Sequence, residues 1–161
     1  RALWSAAEDD VKSLQSNGLV VWGLILPFFM RAGWFKKHGY RRVDRDGISV
    51  LLWKTFSEEA SPPRWIRAKK KPELVPGKVV VTALANGWCS GTNGMIERAK
   101  KICSEFGDKV VFREIDMTSR ETVREWGLSD GLFVNDRNIY RGPPLTYNKI
   151  WKTIEKKVRK L

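Results

Sequence analysis

From Ser57 to Gly77 the hydrophobic periodicity that runs through the rest of the chain stops. Ser61-Pro62-Pro63, Lys69-Lys70-Lys71-Pro72 and Pro76-Gly77 hold four of the seven prolines. Proline fixes φ and removes an amide donor, so neither a helix nor a paired strand runs through such a stretch. The 161 residues are therefore read as two small pieces, 1–56 and 78–161, with 57–77 a Pro/Lys-rich linker or crossing segment pinned by Trp65 and Ile66. A chain of this length holds one ordinary domain or two small ones, not a multidomain enzyme.

The composition fits globular pieces. Hydrophobic residues make up 42% and charged residues 30%, which excludes a disordered or collagen-like chain, and eight Trp supply apolar area to bury. The net charge is +12. Residues 1–77 carry 14 basic and 8 acidic side chains and residues 78–161 carry 16 and 10, so the excess is even and marks no basic tail. It permits an anionic partner, although nucleic acid is not the expected one. Cys89 and Cys103 are the only cysteines and His38 the only histidine, too few for a disulfide framework or a zinc cluster, and no metal is expected. The longest apolar run, Leu19 to Met30, contains Gly23 and Pro27 and is too short to span a bilayer. No secretory leader pattern opens the chain, so a reduced, cytoplasmic protein without a membrane partner is the default expectation.

Leu3, Ala6, Ala7, Val11 and Leu14 recur at helical spacing and predict a helix over 2–16, stopped at Asn17-Gly18. Leu19 to Leu24 is continuously apolar and reads as a strand buried on both faces. Phe28 to Lys37 reads as a second helix closed by His38-Gly39, and Tyr40–Asp44 and Ile48–Lys54 as strands joined at Asp46-Gly47. The second piece offers a Val-rich strand at 78–84, a loop at 86–94 and a helix from about Met95 to Glu105. It continues with a strand at 110–116, a helix at 119–126 capped by Ser119, a hairpin around Asn135-Asp136 and a final helix at 146–160. The expected fold class is α/β, and β-α-β-α-β-β-α is the element order of the thioredoxin fold.

The strand at 19–26, the segment Pro27-Phe28-Phe29-Met30-Arg31-Ala32-Gly33-Trp34-Phe35-Lys36-Lys37-His38-Gly39-Tyr40 and the strand at 48–54 resemble the rear part of a GNAT-type N-acetyltransferase. With the Pro-rich stretch and the Asn86-Gly87-Trp88-Cys89 loop behind them, nearly the whole chain resembles acetyltransferases that carry a YoaP-like, thioredoxin-like domain at the C-terminus. The resemblance implies acetyl-CoA as cofactor of the full-length parent, with a small-molecule or peptide amine as acyl acceptor. It implies a partial GNAT-like sheet-and-helix unit followed by the thioredoxin-like one. The family's cofactor-side positions fall at Phe29, Ala32 and Phe35. Phe35 stands where relatives place a proton-donating Tyr and cannot act as a general acid, so Phe29 and Phe35 are expected to pack. The glycine-bearing loop that would grip the pyrophosphate is expected ahead of Arg1, and this chain is expected to bind acetyl-CoA weakly or not at all.

In the second piece Cys89 stands after a strand and before a helix, where thioredoxin-like proteins hold their nucleophilic thiol. The resemblance makes it the candidate catalytic residue. Thr92 replaces the partner cysteine, leaving only single-thiol chemistry, and Ser129-Asp130-Gly131 replaces the family's Pro opposite the thiol. Asp130 would raise the thiol pKa. Cys103 reads as buried filler, His38 as a helix-end cap, and the lysines of the last helix largely as partners of its dipole. The expected function is a fragment of an acetyltransferase; the alternatives are a non-catalytic interaction module with a basic surface and, ranked below both, a single-thiol redox protein using Cys89.

Overall fold

The computed structural model describes residues 2–27, 29–67, 70–140 and 142–161. Arg1, Phe28, Ala68, Lys69, Arg141 and the side chain of Ala2 lie outside the described set. The chain divides into two compact units, Arg1–Trp65 and Ile66–Leu161.

In the first unit α1 (Ala2–Ser13), β1 (Gly18–Leu24), α2 (Ala32–Lys36), β2 (Arg41–Asp46) and β3 (Ser49–Thr55) follow in order. The strands form an antiparallel sheet in the order β1-β3-β2. β2 and β3 meet at Asp46-Gly47, where Gly47 takes φ +56, a conformation glycine adopts without a Cβ penalty. β1 is not buried on both faces as expected. Leu19 and Val21 join the core, while Val20 is 44% and Trp22 43% exposed. An antiparallel sheet covered by helices on one side buries alternate residues only, and a continuously apolar run does not reveal which residues stay outside.

The second helix is also shorter than expected. Residues 25–27 and 29–31 are not helical. Met30 sits at φ +48, its carbonyl accepts from the Leu24 amide at 2.7 Å, and Arg31 bridges to Leu24 in extended conformation. Gly23 makes this return possible, because a Cβ there would lie 2.8 Å from the Met30 oxygen. Phe29 therefore precedes the helix instead of sharing a face with Ala32. It is 68% exposed, its ring 6.3 Å from that of Trp22, which corrects the expectation that it packs in the core. Ala32 and Phe35 are buried with Tyr40, Val50 and Leu52.

Glu8 ties this unit together. Its Oε1 accepts from Trp4 Nε1 at 2.9 Å and from the Tyr40 hydroxyl at 3.0 Å, and its Oε2 accepts from Lys54 Nζ at 2.6 Å. Lys54 Nζ also donates to the His38 carbonyl at 3.2 Å. Burial alone would raise the Glu8 carboxyl, but the Lys54 and Tyr40 hydrogen bonds, the Lys54 charge and the Trp4 hydrogen bond hold it below its ordinary value. One carboxylate thus joins α1, the end of α2 and β3.

The second unit contains β4 (Val79–Ala85), α3 (Ser90–Glu105), a 3-10 turn at Gly107–Lys109, β5 (Val110–Asp116), α4 (Arg120–Trp126), β6 (Gly131–Val134), β7 (Arg137–Asn138) and α5 (Tyr147–Val158). The sheet order is β5-β4-β6-β7, with β4 parallel to β5 and β6 antiparallel to both its neighbours. Val79, Val81 and Ala83 face Met95, Ala99, Ile102, Ile150 and Ile154 on one side, and Leu84 faces Met117, Trp126 and Phe133 on the other. α3 and α5 therefore cover one face and α4 the other. This three-layer α/β arrangement is a thioredoxin-like fold. Ser119 caps α4 as expected, its Oγ accepting from the Thr122 amide at 3.1 Å. Asn135 turns the β6–β7 hairpin at φ +55, and its Oδ1 accepts from the Val80 amide at 2.9 Å. Among the described residues no helix is long and apolar enough to cross a membrane.

Because the Glu8 carboxyl is more acidic folded than unfolded, its stabilisation is present above the ordinary carboxylate pKa and fades as pH falls through the folded value. Glu8→Gln is expected to cost about 2 kcal/mol at neutral pH in urea unfolding followed by circular dichroism. The gap to wild type is expected to narrow as the pH is lowered below the ordinary carboxylate range. A gap that does not change with pH would contradict the assignment.

Candidate functional site

At the carboxyl end of β4 the chain turns through Asn86, Gly87 and Trp88 into α3. Asn86 is buried and holds this turn from inside: its Nδ2 donates to the Ser129 carbonyl at 3.2 Å and its Oδ1 accepts from the Trp88 amide at 3.2 Å. Gly87 takes φ +77, and its carbonyl accepts from Asn93 Nδ2 at 2.9 Å. Trp88 is 78% exposed.

Cys89 is the residue that caps α3. It is extended, at φ −100 and ψ 107, and its carbonyl accepts the first helical hydrogen bond, from the Asn93 amide at 2.9 Å. The helix begins at Ser90, not near Met95, which corrects the sequence-based boundary. Ser90, Gly91, Thr92, Asn93 and Gly94 are weak helix formers and read as loop. The burial of Thr92 and Met95 against the sheet outweighs that weakness.

The half-buried thiol is lowered below its ordinary pKa. The Thr92 hydroxyl is the largest cause, followed by the Thr92 amide, with the Gly91 amide adding less; burial and the Asp130 carboxylate oppose them. No capping hydrogen bond of regular geometry reaches Sγ, so the effect belongs to hydroxyl and amide dipoles converging on the sulfur at a helix start. Asp130 acts in the direction expected from the sequence but is outweighed. Its own carboxyl is raised by burial, while the Thr92 hydroxyl pulls it down. Thr92, fully buried, lies between the thiol, Asp130 and Tyr140, whose hydroxyl is 3.5 Å from Thr92 Oγ1.

A proline does approach this site, from another part of the chain. Pro144, in the loop before α5, places its Cγ 3.0 Å from where a Cβ on Gly91 would stand, and the Cys89 sulfur is 4.0 Å from the same point. Tyr140 and Pro144 carry no sequence signal linking them to Cys89; only the fold brings them in. Cys103 is buried farther along α3, and burial pushes its thiol up to about 12.

Ala32 and Phe35 belong to the buried cluster of the first unit, whereas Phe29 stays outside it. His38 lies where a helix-end cap is expected. Its Nδ1–H donates to the Trp34 carbonyl at 2.8 Å, since a carbonyl only accepts, and its ring stacks on Trp34 at 3.9 Å. Among the described residues no group of three or more His, Cys, Asp or Glu is placed to hold a metal ion.

No family model matches the chain, and no curated protein matches it. Solved structures similar to it include thioredoxin-2, described as a component of the malaria parasite protein secretion machinery. That alignment has 16% identity and a TM-score of 0.41, covering 56% of this chain and 99% of the other. The germline-specific thioredoxin Deadhead of Drosophila melanogaster aligns at 16% identity over 50% of this chain and 82% of its own, with a TM-score of 0.39. The fold assignment rests on the strand order and directions given above.

Proposed function

We propose that the second unit works through Cys89 as a single-thiol nucleophile in thiol–disulfide exchange. What supports this reading is the position of Cys89 as the N-terminal cap of α3 with Thr92 buried one turn on, together with a thiol lowered below its ordinary value. The thiolate attacks one sulfur of a low-molecular-weight or protein disulfide. The S–S bond breaks, one half leaves as thiolate, and the other stays on Cys89 as a mixed disulfide. A second external thiolate then attacks that bond, forms a new disulfide and returns Cys89 as thiolate. No internal resolving thiol serves, because Cys103 is buried and about 21 Å farther along the helix at 1.5 Å per residue, beyond disulfide reach. Exposed Trp88 offers an apolar ring against which the incoming disulfide lies.

A second reading concerns the first unit, as the rear part of an N-acetyltransferase whose whole form uses acetyl-CoA and an amine acceptor. The order of helix, strand, helix and two strands in the first unit is compatible with it. The residues present do not fit a proton-transfer role, since Phe35 is buried and has no transferable proton, so no catalytic step is assigned here. If this reading holds, acetyl-CoA protects the amides of residues 18–31 from hydrogen exchange in the full-length gene product. Unchanged exchange there would contradict it.

For the thiol reading, incubation with glutathione disulfide followed by intact mass and peptide mapping is expected to give one adduct, on Cys89, reversed by excess thiol. Cys89→Ser should give none. Absence of the adduct, or equal modification of Cys103, would contradict the proposal.

A further inference from the structure

The β6–β7 hairpin, the segment that follows it and α5 line a groove of about 890 Å³. Val134, Ile139, Pro143 and Leu145 contribute apolar surface to it. Among the described residues its charged lining is entirely cationic: Arg137, Lys149, Lys152, Lys156, Lys157 and Lys160, with no carboxylate. None of these six has an ion pair or side-chain hydrogen bond among the described residues.

The helix dipole accounts for only part of this charge. Lys156 and Lys157 lie in the last turn of α5, where a cation is favourable. Lys149 is the third residue of the helix, in a first turn that holds no acidic residue, and there a cation is unfavourable. Lys149, Lys152 and Lys156 follow one another at three- and four-residue spacing, so they line one face over about 10 Å. Like charges at that spacing repel, which weakens the helix unless an anion lies between them. The stripe is therefore a feature that the isolated fold does not need.

We infer that this groove is a docking site for an acidic polypeptide segment carrying apolar side chains between its carboxylates. Charge complementarity selects the acid, and the apolar lining selects side chains that leave water. A single-stranded nucleic acid matches only half of this, because no aromatic side chain lines the groove for bases to stack on. The site is independent of the Cys89 reading and stands or falls without it.

The test is fluorescence anisotropy with the full chain and a labelled synthetic peptide of about eight residues alternating glutamate and valine, long enough at about 3.3 Å per residue to cover the stripe. An all-glutamate peptide and an oligothymidylate of equal charge serve as controls at the same ionic strength. The alternating peptide is expected to bind at least about tenfold more tightly than either control. The double variant Lys152→Glu, Lys156→Glu is expected to weaken it by more than about tenfold, with an unchanged circular dichroism melt. Lys149→Gln, which adds no negative charge, is expected to weaken it by a smaller factor and keeps the test open if the double variant misfolds. No binding of the alternating peptide, undiminished binding by a folded double variant, or tighter binding of the oligonucleotide would each overturn the inference.

Discussion

β4 is paired on both edges and covered on both faces, and that burial decides where Cys89 can stand. A strand so enclosed has no freedom at its carboxyl end. Its exit through Asn86 and Gly87 is set by hydrogen bonds to Ser129, Trp88 and Asn93. The chain emerges at the first turn of α3, which is itself held down by Thr92 and Met95. The thiol therefore meets the first turn of a helix, where the Thr92 hydroxyl and the Thr92 and Gly91 amides lower it, and its acidity follows from position more than from any neighbouring cation.

The first unit depends on a different device. Three short strands and two helices bury a modest core, and Glu8 adds a charged tie across elements far apart in the chain. Removing one member of such a set leaves another partly desolvated charge unpaired, so the tie is worth more as a whole than as separate bonds. Tyr40 responds the other way: its hydroxyl is raised by burial and then by Glu8, with the Trp4 hydrogen bond pulling it down.

Much of the fold was legible in the sequence because burial and periodicity agreed there. Val110–Asp116 was expected with those bounds, the Ser119 cap is made by its side chain, and Asp46-Gly47 turns its hairpin. The reading failed where tertiary contacts overrode local preference. The Leu19–Leu24 run did not disclose that one face stays open, and residues 28–31 look helical until the Leu24–Met30 return is known. α3 starts earlier than its Ser, Gly and Asn residues advertise. At the thiol, Cys89, Thr92 and Asp130 were legible through the resemblance to thioredoxin-like proteins, but the balance between them was not. Asp130 raises the thiol as expected, while the net lowering comes from dipoles whose aim only the folded backbone sets. Tyr140 and Pro144 reach the site across the sheet and had no local signature.

The most direct test is the rate of iodoacetamide alkylation of Cys89 against pH, in the folded chain, in the urea-unfolded chain and in Thr92→Val. The account predicts a lower midpoint folded than unfolded, and a return toward the unfolded value when the Thr92 hydroxyl is removed. A folded midpoint at or above the unfolded one, unmoved by Thr92→Val, would contradict it.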